Sequence, residues 1–254
     1  MFEGKNNEKI ALLKDEIHLW YGCIDQAKKH IYVFKQMMAN NEMKRARNFY
    51  FTEDRLSFII SRGILRTILA CYVSIDPINI QINYGKHGKP FLDPIGTKSN
   101  IQFNLSHSKN ILVIAISLGQ SVGVDIEKIR KLADLDMLIA TICSQHEKDQ
   151  FKQLPDTEKL LSFFRCWTRK EAYLKAIGTG LHTPLDQLTV PLTSEDHGQA
   201  FTIYNEELQG YSEVILKPIS AVTGYETALC VNKIPRKINY YWWQPSLLEN
   251  NYIQ

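Results

Sequence analysis

Ile111-Leu112-Val113-Ile114-Ala115-Ile116-Ser117-Leu118 is almost wholly apolar, and Gly119-Gln120-Ser121 separates it from Val122-Gly123-Val124-Asp125-Ile126-Glu127. The unbroken, β-branched first run has the character of a strand buried on both faces. Gly119-Gln120 reads as its turn, so the two segments are expected to form a hairpin. At eight residues the run is far shorter than the roughly 20 needed to span a bilayer, and it belongs to a protein core. On the second segment Asp125 and Glu127 are two apart and share one face of the strand, while Ile126 points the other way.

Upstream, residues 53–73 read as a long helix. Thr52 caps it, Glu53 and Asp54 suit its positive end, and Leu56, Ile60, Ile64 and Ile68 recur at helical spacing before Asp76-Pro77 stops it. Arg55, Arg62 and Arg66 fall on one face, with Lys44, Arg45 and Arg47 just before, and the plain reading of this stripe is a solvated face. A short segment, Ile78–Tyr84, and the turn-rich Gly85-Lys86-His87-Gly88-Lys89-Pro90 lead to Ile101–Leu105, whose alternation reads as a strand. Downstream, 132–153 and 157–177 are helical in pattern, the second ending at Gly178 and Gly180. Leu188–Val190, Ala200–Tyr204, Val214–Leu216, Ala228–Val231 and the aromatic Asn239–Trp243 read as strands, the last as part of the core. No repeat is visible, although both halves run helices first and strands later.

With 254 residues, 44% hydrophobic and 22% charged, the chain is a globular protein and not a disordered, collagenous or coiled-coil one. A net charge of +3 is too mild for a dedicated nucleic-acid binder and compatible with small anionic ligands. The five cysteines are scattered and never form a Cys-x-x-Cys pair, so neither a disulfide framework nor a zinc site is expected, and a reducing cytoplasm fits. Met1–Lys9 is polar and no apolar stretch follows it, so neither an export signal nor a membrane location is expected.

Two carboxylates side by side on a strand make a cation site. Magnesium takes one or two protein carboxylates and completes its shell with waters and substrate phosphate oxygens, so Asp125 and Glu127 suggest a phosphate-bearing substrate. Trp167, Glu171 and Lys175 stand at i, i+4 and i+8 along one side of a helix. Glu171 and Lys175 could be an ordinary helix ion pair, but an acid and an amine beside a bulky tryptophan point to a half-buried site. Asn104-Leu105-Ser106-His107-Ser108 ends a strand, and Ser106 with His107 makes a donor set for phosphate, as Lys89 does from its Gly-Lys-Pro turn. A hydrolase is disfavoured because neighbouring side chains on an extended chain point apart and no Gly-x-Ser-x-Gly elbow occurs. Walker, GxGxxG and HExxH patterns are missing as well.

Together, Gly88-Lys89-Pro90, Asn104-Leu105-Ser106-His107, Gly123–Glu127 and Trp167–Gly178, extended by Gly180-Leu181 and Pro184-Leu185, resemble the 4′-phosphopantetheinyl transferases of the Sfp type in order, spacing and wording. The motif-bearing part covers roughly residues 45–190. The resemblance implies an α+β fold, a pseudo-twofold pair of similar α/β subdomains with the active site in the cleft between them. The boundary is expected near Gln120, with coenzyme A phosphate contacts in 1–120 and metal and catalytic motifs in 121–254. The implied reaction moves the phosphopantetheine arm of coenzyme A onto a serine of an apo acyl- or peptidyl-carrier protein, with Mg²⁺, releasing adenosine 3′,5′-bisphosphate.

Carried over by motif position, Asp125, Glu127 and Glu171 look like metal ligands, with Asp125 also at the coenzyme. Lys175 looks like the group that stabilises or protonates the departing phosphate, and Glu171 could accept the serine proton. Ser106 and His107 look like phosphate contacts, and Lys89 would hold the nucleotide end. Arg45, by its place before Phe49-Tyr50-Phe51, looks like a contact to the 3′-phosphate, with Arg47 and Arg62 as alternatives. The family implies a monomer that receives an acidic carrier protein transiently, and neither nucleic acid nor membrane is an expected partner. A Mg²⁺-dependent phosphohydrolase and a noncatalytic coenzyme A-binding module are the other readings of the same residues.

Overall fold

The structure, a computed structural model, describes residues 10–97, 99–180, 183–193, 200–205, 210–219 and 221–248. Met1–Lys9 and Leu181 lie outside them. The first strand, β1 (Glu16–Cys23), leads into α1 (Ile24–Ala27), α2 (Ile31–Met37), α3 (Asn40–Arg47) and the long α4 (Thr52–Val73). A small hairpin of β2 (Ile82–Tyr84) and β3 (Pro90–Leu92), one turn of helix α5 (Pro94–Thr97), and β4 (Ile101–Ser108) and β5 (Ile111–Leu118) complete a first series. The second series runs β6 (Val122–Lys128), α6 (Leu135–Ile142), α7 (Gln145–Gln153), the long α8 (Asp156–Ile177), β7 (Ala200–Asn205), β8 (Gly210–Pro218) and β9 (Tyr225–Val231), before a final β10 (Lys237–Trp242). Each series is a strand, then helices ending in one of 22 residues, then strands, and its first strand pairs antiparallel with its last, β1 with β5 and β6 with β9. The fold is α+β, built from two similar halves.

The strands form two four-stranded sheets, β10-β1-β5-β4 and β6-β9-β8-β7, and the hairpin β2-β3. The two large sheets pack face to face through Ile17, Leu19 and Val113 of one and Val124, Ile126 and Leu229 of the other. α4 covers the outer face of the first sheet with Ile60, Ile64 and Ile68, and α8 the outer face of the second with Cys166, Ala172 and Tyr173. The order of layers is therefore helix, sheet, sheet, helix. Each fully buried isoleucine or leucine in these seams contributes about 1.5–3 kcal/mol. α4 is long and apolar enough to cross a membrane by composition, but the first sheet and α2 cover it and it is a core helix.

Several expectations change. β5 and β6 are not a hairpin: β5 pairs with β4 on one edge and β1 on the other, so no edge is left for β6. Gly119, in the left-handed region at φ 79°, instead swings the chain across to the second sheet, where β6 pairs with β9. Nor do helices come first among the described residues, because β1 precedes them. Its polar residues obscure the pattern yet are buried, His18 Nδ1 lying 2.7 Å from the Tyr72 hydroxyl. Residues 132–153 hold two helices, broken where Ser144 caps α7 in reciprocal bonds with Glu147. Leu188–Val190 is irregular, its Val190 N–H donating to Glu147 Oε1 at 2.7 Å.

The arginine stripe of α4 is not a solvated face. Arg66 is fully buried, bonded to Glu42 at 2.7 Å and to the carbonyls of Pro77 and Ile80 at 2.8 and 2.9 Å, and Arg62 is buried beside it. α3 and the segment after α4 fold over this face. The aromatic strand β10 is not the core strand expected: it forms the edge of the first sheet, paired in parallel with β1, its residues half-buried or exposed and Trp242 open to solvent, and only Trp243, just beyond its end, is buried.

Candidate active site

β4 and β6 are the edges at which the two sheets meet, and side chains stitch them together at alternate positions of β4. Asn104 Oδ1 accepts from the Val124 N–H at 2.9 Å, Ser106 Oγ donates to Asp125 Oδ1 at 2.7 Å, and Ser108 Oγ donates to Glu127 Oε2 at 2.6 Å while accepting from the Lys128 N–H. The period of two along a strand puts all three on one face. Above β6 lies α8, brought close by Gly123: a Cβ there would stand 2.0 Å from the Ala172 carbonyl oxygen and 2.4 Å from the Ala176 nitrogen. That approach places the Trp167, Glu171 and Lys175 side of α8 over Asp125 and Glu127. Lys175 Nζ reaches Asp125 Oδ1 at 2.5 Å and Ser106 Oγ at 2.9 Å, so the amine pairs with Asp125 and not with Glu171 as a helix pair would. A cavity of about 410 Å³ opens between them, walled by Ser106, Asp125, Glu127, Trp167, Glu171 and Lys175.

Burial pushes the carboxyl of Glu127 above its ordinary range, the charge of Asp125 adds to this, and the Ser108 bond opposes it. Burial raises Glu171 too, with the charges of Asp125 and Glu127 adding and Lys175 opposing. Asp125 Oδ2 is buried with no hydrogen-bond partner. Three acids against one nearby ammonium, all hard oxygen donors and one of them an orphaned buried atom, fit a hard divalent cation such as Mg²⁺.

A second cavity, of about 370 Å³, adjoins the first, and Leu105, His107 and Lys175 line both. Arg45, Phe58, Ser61, Arg62 and Lys89 also wall it. Arg45 and Arg62 each hold a guanidinium over the Phe58 ring, at 5.5 and 5.2 Å, and over Tyr84. Arg62 is 6% exposed, Nη1 and the neighbouring Ser61 Oγ have no partner, and burial lowers its pKa. Lys89 Nζ donates to the carbonyls of Ala176 at 2.8 Å and Val122 at 3.3 Å, and burial pushes it down to about 8. The protein around His107, and then the Lys175 ammonium, lower its imidazole although one side of the residue stays exposed.

Ser106, His107, Asp125, Glu127, Glu171 and Lys175 thus converge on the first cavity, and Arg45 and Lys89 stand on the second. Arg47 is exposed and lines neither, which leaves Arg62 beside Arg45. Ser61 and Ser108 were missed. The alternation of Asn104, Ser106 and Ser108 could have exposed Ser108, whereas nothing local marks Ser61.

The family model described as "4'-phosphopantetheinyl transferase superfamily" matches residues 121–230, and that described as "4'-phosphopantetheinyl transferase, N-terminal" matches 25–118. The chain is 38% identical over 184 residues to 4'-phosphopantetheinyl transferase HetI of a Nostoc species, covering 72% of this chain and 77% of that one. It is 30% identical over 205 residues to 4'-phosphopantetheinyl transferase gsp of Aneurinibacillus migulanus, covering 77% and 83%. With 4'-phosphopantetheinyl transferase Sfp of Bacillus subtilis it shares 25% over 197 residues, covering 78% and 83%. Similarity that runs through both halves and contains every motif at the two cavities shows that the chain belongs to the 4′-phosphopantetheinyl transferase family, Sfp type, and is a transferase.

Proposed function

We propose that this transferase moves the 4′-phosphopantetheine arm of coenzyme A onto a serine of an apo acyl- or peptidyl-carrier protein in a Mg²⁺-dependent reaction, releasing adenosine 3′,5′-bisphosphate. The observation that carries the reading is the joining of two unlike cavities: an acid cluster with a buried, unpartnered Asp125 oxygen, and a basic, aromatic one. Coenzyme A has the matching chemistry, a pyrophosphate at one place and a phosphate monoester on an adenosine at another.

The serine oxygen attacks the β-phosphorus of the pyrophosphate, and the bond from that phosphorus to the bridging oxygen breaks. Such a transfer needs placement and neutralisation of charge more than covalent help. Asp125, Glu127 and Glu171 are the residues that would hold Mg²⁺, which when bound neutralises phosphate charge. Ser106 and His107 hold phosphate oxygens. Lys175, on the same side of α8 as Glu171, stabilises the leaving phosphate and can protonate it. Glu171, which faces the first cavity beside Lys175, accepts the serine proton. Arg45 and Lys89 hold the nucleotide end. We place this transferase in the cytoplasm, as its scattered cysteines suggest, and take it to act as a monomer, as the family resemblance implies.

Intact-mass spectrometry of an apo acyl-carrier protein incubated with this enzyme, coenzyme A and Mg²⁺ tests the proposal. A gain of one phosphopantetheine, lost with EDTA, is expected. Phosphate release without a carrier, or no gain on any of several carriers despite coenzyme A binding, would overturn it.

A further inference from the structure

Cys143 ends α6 and Cys166 lies in the middle of α8, and the fold brings their sulfurs to 3.8 Å in a fully buried position. Glu147 stands beside them, so that one donor atom from each of the three residues lies within 4.8 Å of the others, the spacing of a cation cage. Lys170 already supplies the positive charge there. Its Nζ lies 2.5 Å from Glu147 Oε2 and donates to the carbonyls of Ile142 at 3.0 Å and Leu185 at 2.9 Å. Glu147 also accepts from the N–H groups of Ser144 and Val190, so its two oxygens are satisfied and have no need of a metal. Among the described residues, the only hydrogen bond of either thiol is to the other.

We propose that Cys143 and Cys166 are a thiol–disulfide modification site, oxidised by a hydroperoxide. The bond from Cys166 draws the Cys143 thiol below its ordinary value, while burial holds Cys166 well above. Either thiol can react first; where Cys143 is the nucleophile, Cys166 is the resolving thiol. The Cys143 sulfur attacks the peroxide, the O–O bond breaks, and a sulfenic acid forms as the alcohol, or water from hydrogen peroxide, departs with the thiol proton. The Cys166 sulfur then attacks the sulfenic sulfur, the S–S bond forms, and the hydroxyl leaves with the second thiol proton as water. Two electrons pass from the thiols to the peroxide. Both thiols are fully buried, so the oxidant must reach them through local opening of the fold, which favours a small peroxide over a bulky disulfide.

Bond formation draws the sulfurs from 3.8 Å to about 2.05 Å. It ties the end of α6 to α8 next to Trp167, on the helix that carries Glu171 and Lys175. Displacement on the order of 1 Å can cost up to 10²-fold in rate, so oxidation is expected to slow transfer about tenfold or more, reversibly. This consequence rests on the proposed transferase reading, whereas the disulfide itself does not.

The test treats the purified full chain with hydrogen peroxide under native conditions, alkylates remaining thiols, and maps peptides without reduction. A Cys143–Cys166 linked peptide with the loss of two hydrogens is expected. It should be reversed by dithiothreitol, absent in Cys143→Ser and in Cys166→Ala, and not produced by glutathione disulfide. Alkylation of both cysteines after unfolding, with oxidation confined to half-buried Cys23 and Cys71, would overturn the proposal, as would a stoichiometric zinc ion in the purified protein. Unchanged transfer by a fully linked sample would overturn the coupling to α8 alone.

Discussion

Asp125 gives one carboxylate oxygen to Ser106 and Lys175 and leaves the other buried without a partner. An unmade bond of that kind costs about 1–3 kcal/mol, which a bound cation offsets. Asp125→Ala and Glu171→Ala are expected to lower carrier modification at least about 10²-fold, the scale of a lost electrostatic contact, with the circular dichroism spectrum unchanged. Normal turnover in either variant would sink the assignment. Arg62 offers a similar orphan to the second cavity, and its loss leaves Glu42 still paired with Arg66. Arg62→Met should therefore fold and raise the KM for coenzyme A about 10–100-fold, the range of a hydrogen bond to a charged group, with kcat unchanged; an unaltered KM would show that the guanidinium never meets the coenzyme. Lys89, pushed down to about 8 from the usual 10.5, loses its charge earlier in the fold than in the unfolded chain. Between those values the unfolded chain binds more protons, so this residue favours folding more as pH rises through the window. Binding of an anion runs the other way: kcat/KM for coenzyme A should fall above pH about 8, and Lys89→Met should remove that limb of the profile.

At the scale of elements, the site depends on two close approaches. Alternate side chains of β4 serve as the ladder between two sheet edges, and Gly123 lets α8 lie directly on β6. Because the atoms that an added Cβ would meet are backbone, they cannot turn aside. Gly123→Ala should destabilise the protein by at least about 1–3 kcal/mol, read by urea denaturation; a full-stability variant would mean that α8 has room to move. The elements of the site themselves were legible. Trp167, Glu171 and Lys175 share a helix side because 3.6 residues make a turn, Asp125 and Glu127 share a strand face because the strand period is two, and Gly178 ends α8 in the left-handed conformation at φ 78°. Periodicity says which face a residue occupies and nothing of which neighbour covers it, so the arginines of α4 looked solvated until α3 was found over them.

For the whole molecule, the pairing of β10 with β1 ties a segment that follows the second half into the first half. Trp243, just beyond it, accepts a place among Phe34 and the α4 core and donates from Nε1 to Thr67 Oγ1 at 2.9 Å, while its backbone N–H bonds the Tyr21 carbonyl at 2.7 Å. Trp243→Ala should cost roughly 3–5 kcal/mol. Since the two sheets share one interlayer core, unfolding should remain a single transition in tryptophan fluorescence and circular dichroism alike. Two separated transitions would show that the halves fold independently.

Order that is local in the chain is legible in the sequence: the two long helices, the paired acids, the acid–amine stripe, the motif spacings and the family they resemble. Contacts between distant segments are not. Neighbouring apolar strands 111–118 and 122–127 looked like partners, yet β5 was already flanked by β1 and β4 and left β6 to the other sheet. The same long-range packing buried Arg62 and Arg66, matched β10 to β1, and set Cys143 against Cys166 across 23 positions. Helix and strand periods arise from backbone geometry within a few residues. Pairing, by contrast, is a competition among all surfaces of the folded chain for the largest buried area and fewest unmet hydrogen bonds, and only the assembled layers resolve it.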